Sequence, residues 1–293
     1  MQQFTGSITA LVTPFKDGAV DEKAFVDLVE RQIAAGTHGL VPTGTTGEAA
    51  TLSDDEHERV VGLCAQTAKG RVPVIAGAGS NATVSAVALS ARLVDAGADA
   101  LLHVTGYYNR PNQDGLLKHY EAVSQACAVP IIVYNIPART VVGLSIETLA
   151  KVSRLPNVIG VKDATGDLAR IPLQTHACKE GFLQLSGEDM TAVGFNAMGG
   201  VGCISVASNV APRLCAQMQE ASLNGDYEKA RALQDQLAPL HDALFSDASP
   251  GPTKYAFSLM GLCTDELRLP LTAPSDEAKA KVRAALAGLG LID

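Results

Sequence analysis

Eight short apolar runs, each followed by a longer polar-apolar segment, constrain the fold of this 293-residue chain more than any other feature. The runs are Ile8–Thr13, Gly39–Thr43, Val72–Gly77, Ala100–Thr105, Pro130–Asn135, Val158–Asp163, Leu183–Gly187 and Cys203–Val206. Their length, their β-branched content and the turn residues around them mark them as strands. Between them, Asp21–Ala35, Ser53–Lys69, Asn81–Ala96, Asp114–Cys127 and Ala211–Leu223 read as amphipathic helices. Ser53 with Glu56 three residues on spells a capping box, and Ala35-Gly36, Lys69-Gly70 and Ala96-Gly97 are helix stops. Eight βα units, spaced roughly 20 to 33 residues apart, describe an α/β fold of the TIM (β/α)8 barrel type rather than an open doubly wound sheet. Gly77-Ala78-Gly79-Ser80-Asn81 lacks the third glycine of a dinucleotide-binding turn.

After residue 224 the alternation stops. Asp226–Phe245, Pro252–Met260 and Asp276–Leu289 read as helices, with Asn224-Gly225 and Ser249-Pro250-Gly251-Pro252 as breakers. This gives a barrel over residues 1–224 and a C-terminal helical appendage over residues 225–293. The net charge of −8 argues against a nucleic-acid or anionic-membrane surface. The first residues, Met1-Gln2-Gln3-Phe4-Thr5-Gly6, show no secretory leader, and no apolar run is long enough to span a bilayer. The six cysteines are scattered without a CxxC pair, as in a reduced cytoplasmic protein, and the histidines form no metal-ligand spacing.

In a TIM barrel the active site lies at the carboxyl ends of the strands. The second strand ends in Thr43-Gly44-Thr45-Thr46-Gly47-Glu48, whose amides and hydroxyls suit either a nest for a carboxylate or a plain strand-to-helix turn. Tyr134 shares the face of Ile132 by period two, which points it into the barrel mouth, as a proton-transfer group or a core tyrosine. Arg139 lies in the loop after Pro137, placed to clamp a carboxylate or to stay solvated. Tyr107-Tyr108 either line a pocket or pack an interface. His57 reads as a structural residue on the polar face of its helix. The sixth run, Val158-Ile159-Gly160-Val161, ends in Lys162. Alone, that stretch fits a structural lysine that snorkels to water or pairs with Asp163 more readily than a functional one. An apolar wall, however, solvates an ammonium poorly and favours the neutral amine, which can attack a ketone to form a Schiff base. The joint placement of lysine, tyrosine, nest and arginine at one barrel end describes a class I aldolase-type site for an α-keto acid.

Four motifs carry a resemblance: Gly44-Thr45-Thr46-Gly47-Glu48, Tyr107-Tyr108-Asn109-Arg110-Pro111, Tyr134-Asn135-Ile136-Pro137-Ala138-Arg139-Thr140 and Gly160-Val161-Lys162-Asp163-Ala164-Thr165-Gly166. In order and spacing, from about Gly6 to the C-terminal helices, the chain resembles the dihydrodipicolinate synthase family of pyruvate-dependent aldolases. The resemblance implies a Schiff-base condensation of pyruvate with L-aspartate 4-semialdehyde, the first committed step of diaminopimelate and lysine biosynthesis, with no cofactor and no metal. It implies Lys162 as the Schiff-base lysine, Thr45 and Thr46 as carboxylate ligands, and Tyr134 as general acid and base. Tyr134 would connect through Thr45 to Tyr108 of a neighbouring subunit. Arg139 would hold the semialdehyde carboxylate, and Gly187 and Ile204 would line the pyruvate pocket. It further implies a homotetramer of tight dimers. The alternatives within the superfamily are a 2-keto-3-deoxy sugar acid aldolase or N-acetylneuraminate lyase, which share the lysine and tyrosine; outside it stands a non-catalytic keto-acid binder. The family's inhibitory lysine site would map to Ala49, Ala50, Asp54, His57, Asn81, Ser85 and Tyr107. Ser85 and Asp54 depart from the glutamate and histidine usual there, which implies weak lysine inhibition or none.

Overall fold

Eight parallel strands close on themselves in a computed structural model that describes residues 4–293. They are β1 (Gly6–Ala10), β2 (Gly39–Val41), β3 (Ile75–Gly77), β4 (Ala100–Val104), β5 (Ile131–Asn135), β6 (Val158–Asp163), β7 (Leu183–Ser186) and β8 (Gly202–Ser205). The sheet runs β2-β1-β8-β7-β6-β5-β4-β3. The remaining seam between β2 and β3 closes through the parallel bridge of Leu40 with Val74 and the Gly77 N–H, which donates to Pro42 O at 3.1 Å. The eight expected strands are all present: Val158–Asp163 keeps its expected bounds, the last runs Gly202–Ser205, one residue earlier than expected, and the others lose one to three residues at an end. β1 starts earlier than the apolar run suggested, and Leu11–Thr13 leaves the sheet; a small hairpin of Phe15–Lys16 with Ala19–Val20, unforeseen from sequence, follows it. The reading that the chain lacks a leader rests partly on Met1–Gln3, which lie outside the described residues.

The helices follow from their caps. Ser53 accepts from the Glu56 amide while the Glu56 carboxylate accepts from the Ser53 amide at 2.9 Å, so the capping box is complete. Asn112, Ser145, Asp226 and Ser275 cap four further helices through their side chains. Inside the barrel, Ile8, Val41, Ile75, Leu102, Ile132, Leu185 and Ile204 form one buried cluster with Tyr134. Outside it, helix faces pack on the opposite strand faces, as with Leu149 and Val152 against Val133 and Val161. The helices Tyr227–Leu244, Gly251–Leu259 and Asp276–Gly288 cover one flank, where Leu237, Leu240 and Val282 share a core with Val12, Leu28 and Cys203. Each such side chain contributes on the order of 1.5–3 kcal/mol by leaving water.

One irregularity decides which way the sixth strand faces. Ile131 pairs with Val158, but the next residue, Ile132, pairs with Gly160, so β6 carries one extra residue against β5. Val158 packs on the outer cluster. Strict period two from Val158 would send Lys162 outward as well. The extra residue flips the parity: Val161 packs outside and Lys162 turns inward, beside Tyr134. Gly160 is required at the shift, since a Cβ there would lie 2.6 Å from Leu183 O and 2.7 Å from Leu183 Cβ. Gly160→Val is therefore expected to destabilise the fold by about 1–3 kcal/mol, read as a lower urea midpoint at unchanged slope.

Candidate active site

The structure brings the expected strand-end residues to one mouth of the barrel. Tyr134 and Lys162 are paired neighbours on β5 and β6, and both are buried, at 7% exposure each. The Lys162 ammonium sits 4.2 Å from the Tyr134 ring centroid. Among the described residues no carboxylate pairs with Lys162. The expected alternative partner, Asp163, points the other way: it accepts from Gln174 Nε2 at 2.6 Å, Arg170 Nε at 3.2 Å and Thr165 Oγ1 at 2.6 Å. The nitrogen thus lies over an aromatic face with no counterion among the described residues. Gly187, at the end of β7, lies against it. A Cβ at Gly187 would stand 3.0 Å from Lys162 Cε and 2.7 Å from Ala164 Cβ, so this glycine makes room for the lysine stem. Ile204 is fully buried among the interior residues.

The loop after β2 is a folded turn. Amides of Gly47, Glu48 and Ala49 donate to Gly44 O, Thr45 O and Gly44 O at 3.1, 3.1 and 3.3 Å. Those of Thr45 and Thr46 donate to nothing among the described residues. Of the two side chains, Thr46 is buried and Thr45 exposed. The turn is bracketed by two left-handed residues, Thr43 at φ 54° and Glu48 at φ 54°. Thr43 is held by its hydroxyl on Pro42 O at 2.8 Å, while the Thr13 hydroxyl donates to Gly47 O at 2.7 Å. The loop has the unspent donors an anion needs: among Gly44–Gly47 only the Gly47 amide is spent within the turn.

Arg139 lies in a one-turn helix, Pro137–Thr140, where a loop was expected. Thr140 anchors that turn by donating to Ile136 O at 2.9 Å, whereas the Arg139 side chain is exposed and hydrogen-bonds to nothing among the described residues. Tyr108 is 89% exposed at φ 68°, and Tyr107 is 38% exposed. The structure does not bring Tyr108 to Tyr134 within one chain. The Tyr107–Arg110 loop is tied instead to Asn81, whose carbonyl accepts from Asn109 Nδ2 at 2.8 Å.

His57 corrects the sequence reading. It is buried rather than on a polar face, and its Nε2 lies 2.7 Å from Gly77 O. Burial pushes its pKa below the usual histidine value, with the Gly77 carbonyl opposing. Ala50 and Ser85 are exposed, and Asp54 lies 3.6 Å from Arg92, which also binds Asp55 and Glu58. Three residues escaped sequence reasoning. Lys254, from the helix Gly251–Leu259, lies fully buried 2.5 Å from Glu48, and Arg268 binds Glu56 through Nη1 and Nη2 at 2.7 and 2.5 Å. Gly160 turns the lysine inward. Only an unpaired acid in a turn, Glu48, hinted at the first.

Barrel and site define a class, an α/β barrel enzyme scaffold with its reactive groups on strand ends. Within that class the chain belongs to the dihydrodipicolinate synthetase family, whose model matches residues 3–289. It is 61% identical over 290 residues to the 4-hydroxy-tetrahydrodipicolinate synthase of Parvibaculum lavamentivorans, covering 99% of this chain and 100% of that protein. It superposes with TM-score 0.96 and 42% identity on the crystal structure of dihydrodipicolinate synthase from Aquifex aeolicus, covering 98% and 99% of the two chains. With TM-score 0.97 and 42% identity it matches the chloride-inhibited dihydrodipicolinate synthase of Acinetobacter baumannii complexed with pyruvate, covering 99% and 100%.

The Arg268 guanidinium lowers the Glu56 carboxyl to a pKa of about 2. A carboxylate depressed in the folded state stabilises above its unfolded value, near 4.5, and loses that contribution as pH falls toward about 2. Glu56→Gln should flatten the acid side of the stability curve: urea midpoints of wild type and variant at pH 5 and pH 3 should differ more at pH 5.

Proposed function

We propose that this chain condenses pyruvate with L-aspartate 4-semialdehyde to 4-hydroxy-tetrahydrodipicolinate through a Schiff base on Lys162. The observation that carries the reading is the inward, counterion-free Lys162 at a barrel mouth that also holds the unspent Thr45 and Thr46 amides. Family membership supports it, as does the pyruvate complex of the Acinetobacter baumannii relative.

The Thr45 and Thr46 amides, with the Thr45 hydroxyl, take the pyruvate carboxylate, which puts the keto carbon in reach of Lys162 Nζ. The amine adds to that carbon, water leaves and an iminium forms. Tyr134, beside the nitrogen, passes protons during addition and dehydration. Loss of a methyl proton gives the enamine, whose carbon attacks the aldehyde carbon of the semialdehyde. Arg139, without a hydrogen-bond partner among the described residues, takes the carboxylate of that second substrate through two charge-assisted hydrogen bonds. The substrate's own amine then adds to the iminium carbon and closes the ring, and the Lys162 amine leaves. All groups used belong to the chain and substrates, so neither cofactor nor metal enters. The enzyme acts in the cytoplasm.

The proton path from Tyr134 through Thr45 ends on the partner subunit's Tyr108. The 89% exposure of Tyr108 in one chain supports at least a dimer, and by family likeness a tetramer of two tight dimers. Lysine inhibits weakly or not at all: of the candidate residues Ala50, His57, Asn81 and Tyr107, His57 is committed to Gly77, and Asp54 faces Arg92. Half-inhibition well below millimolar lysine would overturn that part.

Borohydride reduction with pyruvate should add one pyruvate-derived mass to Lys162, and Lys162→Ala should take none. Tyr134→Phe should lower kcat about 100-fold or more. Arg139→Ala should raise the KM for semialdehyde about 10- to 100-fold, with that for pyruvate unchanged. Equal turnover with glyceraldehyde or N-acetylmannosamine in place of the semialdehyde would contradict the proposed second substrate.

A further inference from the structure

The structure assigns a positioning role to Lys254, which reaches from the C-terminal helices to hold the Thr45–Thr46 turn in its anion-binding shape. The inference rests on the keto-acid reading of that turn. Lys254 is 0% exposed and Glu48 3% exposed, with Nζ 2.5 Å from Glu48 Oε1. Lys254 also donates to Glu266 O at 2.8 Å and lies 4.0 Å from the Phe15 ring centroid. The other Glu48 oxygen accepts from the Arg268 amide at 3.2 Å, and the Arg268 guanidinium covers the Phe15 ring at 4.3 Å. The same guanidinium donates to Thr51 O at 2.9 Å, just past the turn. Both oxygens of Glu48 are thereby tied to the chain that follows the barrel.

Two consequences for the turn follow. First, Glu48 takes a left-handed backbone that residues with a Cβ seldom adopt, and its amide closes the turn on Thr45 O. A buried ion pair is a costly way to fill space, because apolar side chains of similar volume often do so with greater stability. What it provides here is a fixed direction for the Glu48 side chain, and through it the orientation of the two free amides. Second, Glu48 stands two residues from Thr46, in a loop that must accept an anion. The Lys254 charge cancels a carboxylate that would otherwise repel that anion.

The test compares wild type with Lys254→Met, Lys254→Arg and the double variant Glu48→Gln/Lys254→Met. The double variant leaves no lone buried charge and keeps the question open should Lys254→Met fail to fold. Thermal melts and far-UV circular dichroism establish which variants are folded; pyruvate and semialdehyde kinetics, with borohydride trapping, report the site. The expected result is a folded variant whose KM for pyruvate rises about tenfold or more, with the KM for semialdehyde unchanged and kcat lowered far less. Lys254→Arg should recover part of the loss, and Lys254→Met should lose more than the double variant. A folded double variant with wild-type pyruvate KM would overturn the inference, as would kcat and both KM values changing together. Failure of all three variants to fold would also overturn it, assigning the pair to folding alone. Absence of any wild-type adduct with pyruvate would remove the keto-acid reading itself; a trapped wild type with unaltered variants would remove only the role of Lys254.

Discussion

Only one parity of residues on a barrel strand can face the interior, and a single extra residue in β6 sets that parity for the site. The shift at Gly160 turns Lys162 into the barrel and sends Asp163 out, where it binds Arg170 and Gln174 on the next helix. Without the shift the pair would be exchanged: an acid would face the mouth, and the amine would lie on the outer face with Val158, Leu149 and Val152. The position of Tyr134 then has a use, because its ring covers the amine without giving it a counterion. Gly187 matters for the same reason, as it leaves volume for the stem of a lysine that has been turned inward.

The two buried lysines show how one residue type is used in opposite ways. Lys162 has an aromatic neighbour and, among the described residues, no acid. Lys254 has an aromatic neighbour too, Phe15, but also a carboxylate and a carbonyl. Burial alone disfavours an ammonium and lowers its pKa; at Lys254 the charge of Glu48 opposes that effect. The first lysine is left without a counterion at the barrel mouth, and the second is fixed between a carboxylate and a carbonyl.

Much of this was legible in the sequence. The eight strands, the Ser53 capping box and the grouping of Lys162, Tyr134, Thr45 and Arg139 on strand ends follow from local pattern and one topological rule. The parity shift was not legible, because Val158-Ile159-Gly160-Val161 is apolar on both faces and an apolar run does not announce its register. The burial of His57 was hidden for a related reason: its helix begins with three acids, and the carbonyl that accepts it comes from a different strand end. The Glu48–Lys254 pair joins residues far apart in the chain, and nothing near either one indicates the other. The Pro137–Thr140 turn was missed because a proline there reads equally as a loop or as the first residue of a helix.

The distance along the chain between Glu48 and Lys254 has a consequence for synthesis. A ribosome adding about 5–20 residues per second needs on the order of 10–40 s to pass from one to the other. Every strand of the barrel, from Gly6 to Ser205, leaves the ribosome before the lysine that neutralises Glu48. During that interval the carboxylate keeps its water, and the turn it closes stays open to other shapes. The strands of the sheet thus exist before the residue that sets its mouth, and the turn can take its final shape only once Lys254 and the core its helices share with Val12, Leu28 and Cys203 are in place.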